Sequence, residues 1–226
     1  KHYKKISKNV KNKKIEYVKG IFSNISLMRK ESSKQYINFK NQNIIIGFFK
    51  LFKNNISKKQ RKIFLDKNAI KIIPENEKFV IFPLHMQPEH TTSVITPFFT
   101  DQVSLIRNIA RSLPINYFLY VKEHQSMGVV RYWRDISYYK KILDIPNVKL
   151  IHPDVNSLTL FEKSQIVLTI NGSANSEALL LKKQTIVFAD VASIETDATT
   201  KIENLEDLPT IIKETLKKEF SHIGFK

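Results

Sequence analysis

KFVIFPLHMQPEHTT, residues 78–92, sets an apolar run of strand length directly against a cluster of histidine, glutamine and carboxylate. An unbroken apolar run at 79–84 predicts a strand buried on both faces, as in a parallel sheet covered by helices. Residues that follow such a strand emerge at its carboxyl end, where open parallel sheets bind ligands. His85, Gln87, Glu89 and His90 therefore stand where side chains can meet a substrate, on a loop too polar to be hidden without partners.

Outward from this stretch the chain alternates. Strand-like runs occur at 79–84, 117–122, 148–151, 166–170 and 185–188, mostly β-branched or aromatic. Helix-like segments at 101–112, 134–143, 157–162, 174–181 and 208–220 fill the gaps. This alternation predicts an α/β fold, a Rossmann-like parallel sheet with helices on both faces, over residues 78–226. Residues 1–77 read as a basic, mainly helical extension or the remnant of an N-terminal domain. Within it, apolar spacing at 15–28 and the stretch IIIGFFKLF at 44–52 each suggest a helix with one apolar side.

Charge divides the chain in the same place. Residues 1–72 hold 18 Lys and 2 Arg against Glu16, Glu31 and Asp66, a net of +17, while the other 154 residues carry 17 basic and 18 acidic side chains, a net of −1. Such asymmetry suits an anionic membrane surface, with the short aromatic stretch between Lys40, Lys50 and Lys53 patterned as an interfacial anchor, although core packing against the domain that follows is the commoner fate of such a face. A solvated helical extension accounts for it equally well. Apart from charge there is no nucleic-acid-binding pattern, so nucleic acid is not expected as a partner. The absence of cysteine excludes a disulfide framework, a cysteine nucleophile and a cysteine zinc site.

Three polar loops follow three of the predicted strands: the one at His85, then Lys122-Glu123-His124, then Asn171-Gly172-Ser173-Ala174-Asn175 before a helix. Gly172 permits a tight turn, and free N–H groups at the start of the next helix suit a phosphate. Convergence of these N–H groups with a lysine and two histidines on one sheet edge points to an anionic ligand. Against this, Lys122-Glu123 also reads as a surface ion pair at a strand end. His152 reads as a satisfied loop histidine, and Tyr138 and Tyr139, with Tyr132 and Trp133, as helix-to-sheet packing with one ring free to stack on a base.

The runs FPLHMQPEHTT, SLPINYFLYVKEHQ, IPNVKLIHPD and SQIVLTINGSANSEALLLKKQTIVF resemble, in order and spacing, the capsular polysaccharide synthesis family, which includes β-Kdo transferases that use CMP-Kdo. The resemblance implies a glycosyltransferase of the GT-B type, inverting and metal-independent, with this segment as the C-terminal-type, nucleotide-sugar-binding half. It implies transfer of a sugar, Kdo among the candidates, from a CMP-activated donor to a glycan or lipid-linked acceptor. It places Gln87 and Glu89 in the family's QPE motif, Lys122, Glu123 and His124 in its KEHP motif, and Gly172, Ser173 and Glu177 in its glycine turn and following glutamate. Gln125 stands where that motif has proline. No cofactor or metal is expected, since no Asp-x-Asp motif occurs. The location implied is cytoplasmic, peripheral to the inner face of the cytoplasmic membrane.

Residue types then suggest roles. A leaving phosphate gains charge in the transition state, so His124 and Lys122 are expected to stabilise it, with Ser173, Ala174 and the N–H groups around them as its cradle. Glu177 is expected at the ribose hydroxyls and Glu123 behind Lys122 or His124. Glu89 or His85 would take the acceptor's proton. A UDP-sugar transferase or epimerase, and a non-catalytic nucleotide-sugar or membrane-surface binding protein, are the alternatives. Residues 1–77 are too short and too basic for the complete second Rossmann domain that would carry the acceptor site and often the base, so either part of the protein lies outside this sequence or the protein is reduced.

Overall fold

The computed structural model describes residues 44–85, 99–124, 134–189, 196–218 and 220, with side chains from residue 56 onward. The helix expected at 15–28 lies outside these residues. The described chain opens with α1 (Ile44–Asn68). It then alternates through β1 (Phe79–Pro83), α2 (Gln102–Ser112), β2 (Phe118–Lys122), α3 (Ile136–Leu143), β3 (Val148–Ile151), α4 (Ser157–Lys163), β4 (Ile166–Thr169) and α5 (Ser173–Leu180). β5 (Gln184–Val187), β6 (Thr199–Lys201) and α6 (Leu208–Thr215) complete it.

All strand pairs are parallel, in the order β3-β2-β1-β4-β5-β6. β1 lies at the centre, and its alternation divides the core in two. Val80, Phe82 and Leu84 join Ile106, Ile109, Ile142 and Ile212 from α2, α3 and α6. Phe79 and Ile81 join Leu160, Phe161 and Ala178 from α4 and α5. A strand with one apolar set on each face has no polar side, which is why 79–84 reads as a continuous apolar run.

Three departures from the reading of the sequence exceed two residues. α1 does not stop at residue 52 but runs to Asn68, since neither glycine nor proline interrupts it after Gly47, and Asn68 closes it by donating from Nδ2 to Phe64 O at 2.8 Å. The segment expected to be helical through 220 ends as α6 at Thr215. There the N–H groups of Lys217 and Lys218 turn back to the carbonyls of Glu214 and Thr215, three residues earlier, and tighten the last turn. β6 was not anticipated: it is three residues long and polar, and it adds to the sheet by pairing Thr199 with Thr185.

The compact unit that holds the sheet begins at Ile56, not at residue 78. The second half of α1 packs onto the sheet through Leu65, which is fully buried with Tyr139 and Leu150. Ile70 extends the β3 edge, donating its N–H to Leu150 O at 2.8 Å and accepting from His152 N–H at 2.9 Å. Leu65→Ala is therefore expected to cost about 2–4 kcal/mol in denaturant unfolding, as for other large-to-small core changes. Ile72→Ala, at a residue 84% exposed, should stay within about 0.5 kcal/mol. Equal, small effects would mean that residues before 78 are no part of the domain.

Candidate functional site

β1 is flanked by β2 on one side and β4 on the other, so the chain leaves β1 toward one half of the sheet and returns at β4 to build the other. Loops at the carboxyl ends of two such strands part in opposite directions and leave a crevice. His85 sits in it. The β ladder continues one residue past β1, with Leu84 N–H donating to Lys122 O at 2.8 Å, and the chain then turns outward.

Three bonds fix the His85 backbone. Its N–H donates to Gln102 Oε1 at 2.9 Å, and its carbonyl accepts from Gln102 Nε2 at 3.2 Å and from Arg134 Nη2. The ring reaches across to β4, where Nε2 lies 3.1 Å from Thr169 Oγ1 and accepts from Ile170 N–H at 3.2 Å. An N–H pointing at Nε2 requires a lone pair there, which makes His85 the neutral tautomer with its proton on Nδ1. Burial, with the nearby His124 and Arg134 charges adding to it, lowers the His85 pKa from 6.5 to about 4.

The opposite wall is the turn from β4 into α5. Gly172 is its N-cap and holds φ +102° and ψ −167°, a conformation open in practice to glycine alone. A Cβ there would meet His85 Cε1 at 3.9 Å, ordinary contact, so the backbone angle and not crowding requires glycine. Gly172 N–H is taken by Asn171 Oδ1 at 2.5 Å, and Asn175 N–H reaches back to Gly172 O at 3.3 Å. Gly172 and Ser173 are exposed, and Ala174 and Glu177 are half-buried, Ala174 against the α4 and α5 side of the core. The first N–H groups of α5 thus open onto the crevice beside a neutral imidazole.

The end of β2 and the loop after it carry Lys122, Glu123 and His124. Glu123 is fully buried: Oε1 accepts from Arg134 Nη1 at 2.5 Å and from His124 N–H at 2.8 Å, and Oε2 accepts from Tyr139 OH at 2.7 Å. It therefore holds Arg134 and the His124 backbone. Lys122 turns away to the loop after β3, its buried ammonium donating to Pro153 O at 3.3 Å and, at the limit of a hydrogen bond, to Glu123 O at 3.5 Å. Burial lowers its pKa, against the pull of Glu123 and Asp154. The structure thus sets Glu123 against the His124 backbone and, through Arg134, against the His85 carbonyl, while the Lys122 ammonium is held by the Pro153 and Glu123 carbonyls. Gln87 and Glu89 lie outside the described residues.

Arg134 was read only as the start of a helix, yet its guanidinium joins two of the three loops, Glu123 on one and the His85 carbonyl on the other. It also lies 5.0 Å over the Tyr138 ring. Burial drives the hydroxyl pKa of Tyr138 up to about 12, and burial followed by Glu123 drives that of Tyr139 higher still. Both tyrosines belong to α3 and pack it on the sheet, while Tyr132 and Trp133 lie outside the described residues. His152 is a buried loop histidine whose Nδ1 accepts from Asp154 N–H at 3.2 Å and whose Nε2 faces Asp66 Oδ1 at 3.3 Å.

A family model described as capsule polysaccharide biosynthesis protein matches residues 7–206 of the 226. The chain belongs to this family. Capsule polysaccharide biosynthesis proteins are thus the group to which the Rossmann-like sheet and its crevice are assigned. No curated protein matches the chain. Among solved structures it is similar to the KpsC β-Kdo 2,4 transferase of Thermosulfurimonas dismutans, at 14% identity over 68% of this chain and 49% of that one, with a TM-score of 0.47. The β-Kdo 2,7 transferase of the same KpsC gives 15%, 75%, 53% and 0.46. A Methanocaldococcus jannaschii UDP-GlcNAc 2-epimerase in complex with UDP-GlcNAc and UDP gives 17%, 76%, 45% and 0.45. The chain spans about half the length of these structures.

Two outcomes follow for this capsule polysaccharide biosynthesis protein. Arg134→Met leaves Glu123 charged and buried without its partner, an expected loss of about 3–5 kcal/mol in denaturant unfolding. The double change Glu123→Gln with Arg134→Met should lose less than the single one, and a single change costing under about 1 kcal/mol would contradict the pairing. The second concerns pH. Because the folded His85 pKa lies below the ordinary value, the unfolded chain takes up the proton first as pH falls. The stability from neutral His85 is present above pH 6.5 and is lost as pH falls toward about 4. His85→Gln should flatten unfolding free energy against pH in that window, and an unchanged slope would contradict it.

Proposed function

We propose that this chain is the nucleotide-sugar-binding half of a glycosyltransferase of capsule or surface polysaccharide synthesis, taking a CMP-activated donor, with Kdo as a candidate sugar, to a glycan or lipid-linked acceptor. The observation that supports this most is the crevice between β1 and β4, where the neutral His85 ring faces the Gly172 turn and the open start of α5. The donor phosphate would sit on the Ser173 and Ala174 N–H groups, favoured by the helix dipole. Glu177, one turn along α5, would accept hydrogen bonds from the ribose. As the acceptor oxygen attacks the anomeric carbon and the bond to phosphate breaks, the departing phosphate gains charge, and His124 at the rim would stabilise it.

His85 suits positioning better than proton abstraction. Its Nε2 lone pair is engaged by Ile170 N–H, and a pKa of about 4 makes it a weak base at neutral pH. Glu89 is then the candidate for the acceptor's proton. Lys122, bonded to carbonyls, would contribute through its field and not by contact. Calorimetry with CMP and UMP tests the reading: CMP should bind more tightly, and Gly172→Val should weaken it by about tenfold or more, since a β-branched residue at positive φ distorts the turn. Tighter binding of UMP would move the chain to the uridine class. Binding of neither would overturn the proposal.

A further inference from the structure

The face of α1 turned away from the sheet carries no assigned role. Its packed side is defined by Leu65, fully buried, by Phe64, whose ring lies 6.4 Å from that of Tyr139, and by Arg61, paired with Asp135 at 2.9 Å. Ile56 is nine residues before Leu65, which at 3.6 residues per turn sets it on the opposite side, about 180° away. Ile63, seven residues after Ile56, returns to within about 20° of the same line. The two isoleucines are 43% and 56% exposed. Lys59 and Lys67, both exposed, lie beside them at helical spacings of three and four residues.

This combination suits a particular partner. Protein interfaces are depleted in lysine at their centres, whereas lysines beside isolated apolar side chains can bury their stems and keep their ammonium groups at a headgroup layer. The only acidic side chain on α1, Asp66, is already paired with Lys71 at 2.5 Å and faces His152 at 3.3 Å, so it offers little repulsion to an anionic surface. In the sequence the spacing runs on upstream, with Phe49 and Phe52 seven and four residues before Ile56. Within residues 56–72, Lys58, Lys59, Arg61, Lys62, Lys67 and Lys71 stand against Asp66 alone, a net of +5 that adds a long-range attraction to anionic lipid. We propose that α1 docks in the plane of an anionic lipid surface through Ile56, Lys59, Ile63 and Lys67.

The full chain should co-sediment with vesicles of equimolar phosphatidylcholine and phosphatidylglycerol and not with phosphatidylcholine alone. Raising salt from about 0.1 M to about 1 M, which shortens screening from about 10 to about 3 Å, should release it. Lys59→Gln with Lys67→Gln should lower partitioning about thirtyfold, and Ile56→Ser with Ile63→Ser about tenfold. All four side chains are exposed or half-exposed, so melting temperatures should not move. The chain has no cysteine, so Ile63→Cys gives a unique labelling site independent of those variants. An environment-sensitive dye there should shift to the blue on anionic vesicles, while a dye at Ile115→Cys, a residue fully exposed before β2, should not. Equal binding to neutral vesicles, an unmoved dye at 63, or partitioning untouched by both pairs of changes overturns the proposal. So does a solution mass that halves in Ile56→Ser with Ile63→Ser, which would make this face a contact between two copies of the chain.

Discussion

A carboxylate taken wholly out of water must be paired, and at the carboxyl edge of this sheet the Glu123 carboxylate gathers everything else around it. Arg134, the His124 N–H and the Tyr139 hydroxyl converge on its two oxygens. Arg134 then has a second nitrogen to place, and it goes to the His85 carbonyl. This fixes the exit of the central strand, and with it the ring that bridges to Thr169 and Ile170. One buried charge thus determines where three loops from three strands sit relative to one another. Such pairs add little net stability compared with an apolar replacement, so geometry is the better account of this one.

Much of this was legible in the sequence, for reasons that belong to particular residues. The central strand declared itself because both of its faces are buried, and the glycine at 172 because its turn needs a positive φ. β6 did not, since Thr199 and Thr200 lack the apolar alternation that marks a strand and depend on Thr185 next door. The α5–β5 turn hid its boundary as well, because Lys182 takes the left-handed conformation where a glycine would have announced it. The start of the domain was misplaced because a lysine-rich helix reads as solvated, while one leucine in it, Leu65, packs against Tyr139 and Leu150.

The site was legible as a set of loops and not as a set of contacts. Lys122 and His124 are two residues apart and were expected to act together, but β2 ends at Lys122, whose ammonium goes to the Pro153 carbonyl. Arg134 was invisible for the complementary reason: a single arginine ahead of a helix is ordinary, and its carboxylate partner lies eleven residues earlier on a different element. Nothing in the sequence fixes the tautomer of His85. That follows only from an N–H of residue 170 arriving at its ring across the switch in strand order.

The central claim is that a neutral His85, bonded to the β4–α5 turn, lines the crevice that receives the donor nucleotide. Long-range nitrogen–proton correlation spectra of the full chain at neutral pH, with and without CMP, address it directly. The account predicts an unprotonated Nε2 and a protonated Nδ1 for His85, both shifted by CMP, with the His152 resonances unmoved because that ring is held by Asp66 and Asp154. An imidazolium at His85, or CMP that shifts His152 and leaves His85 where it was, would contradict it.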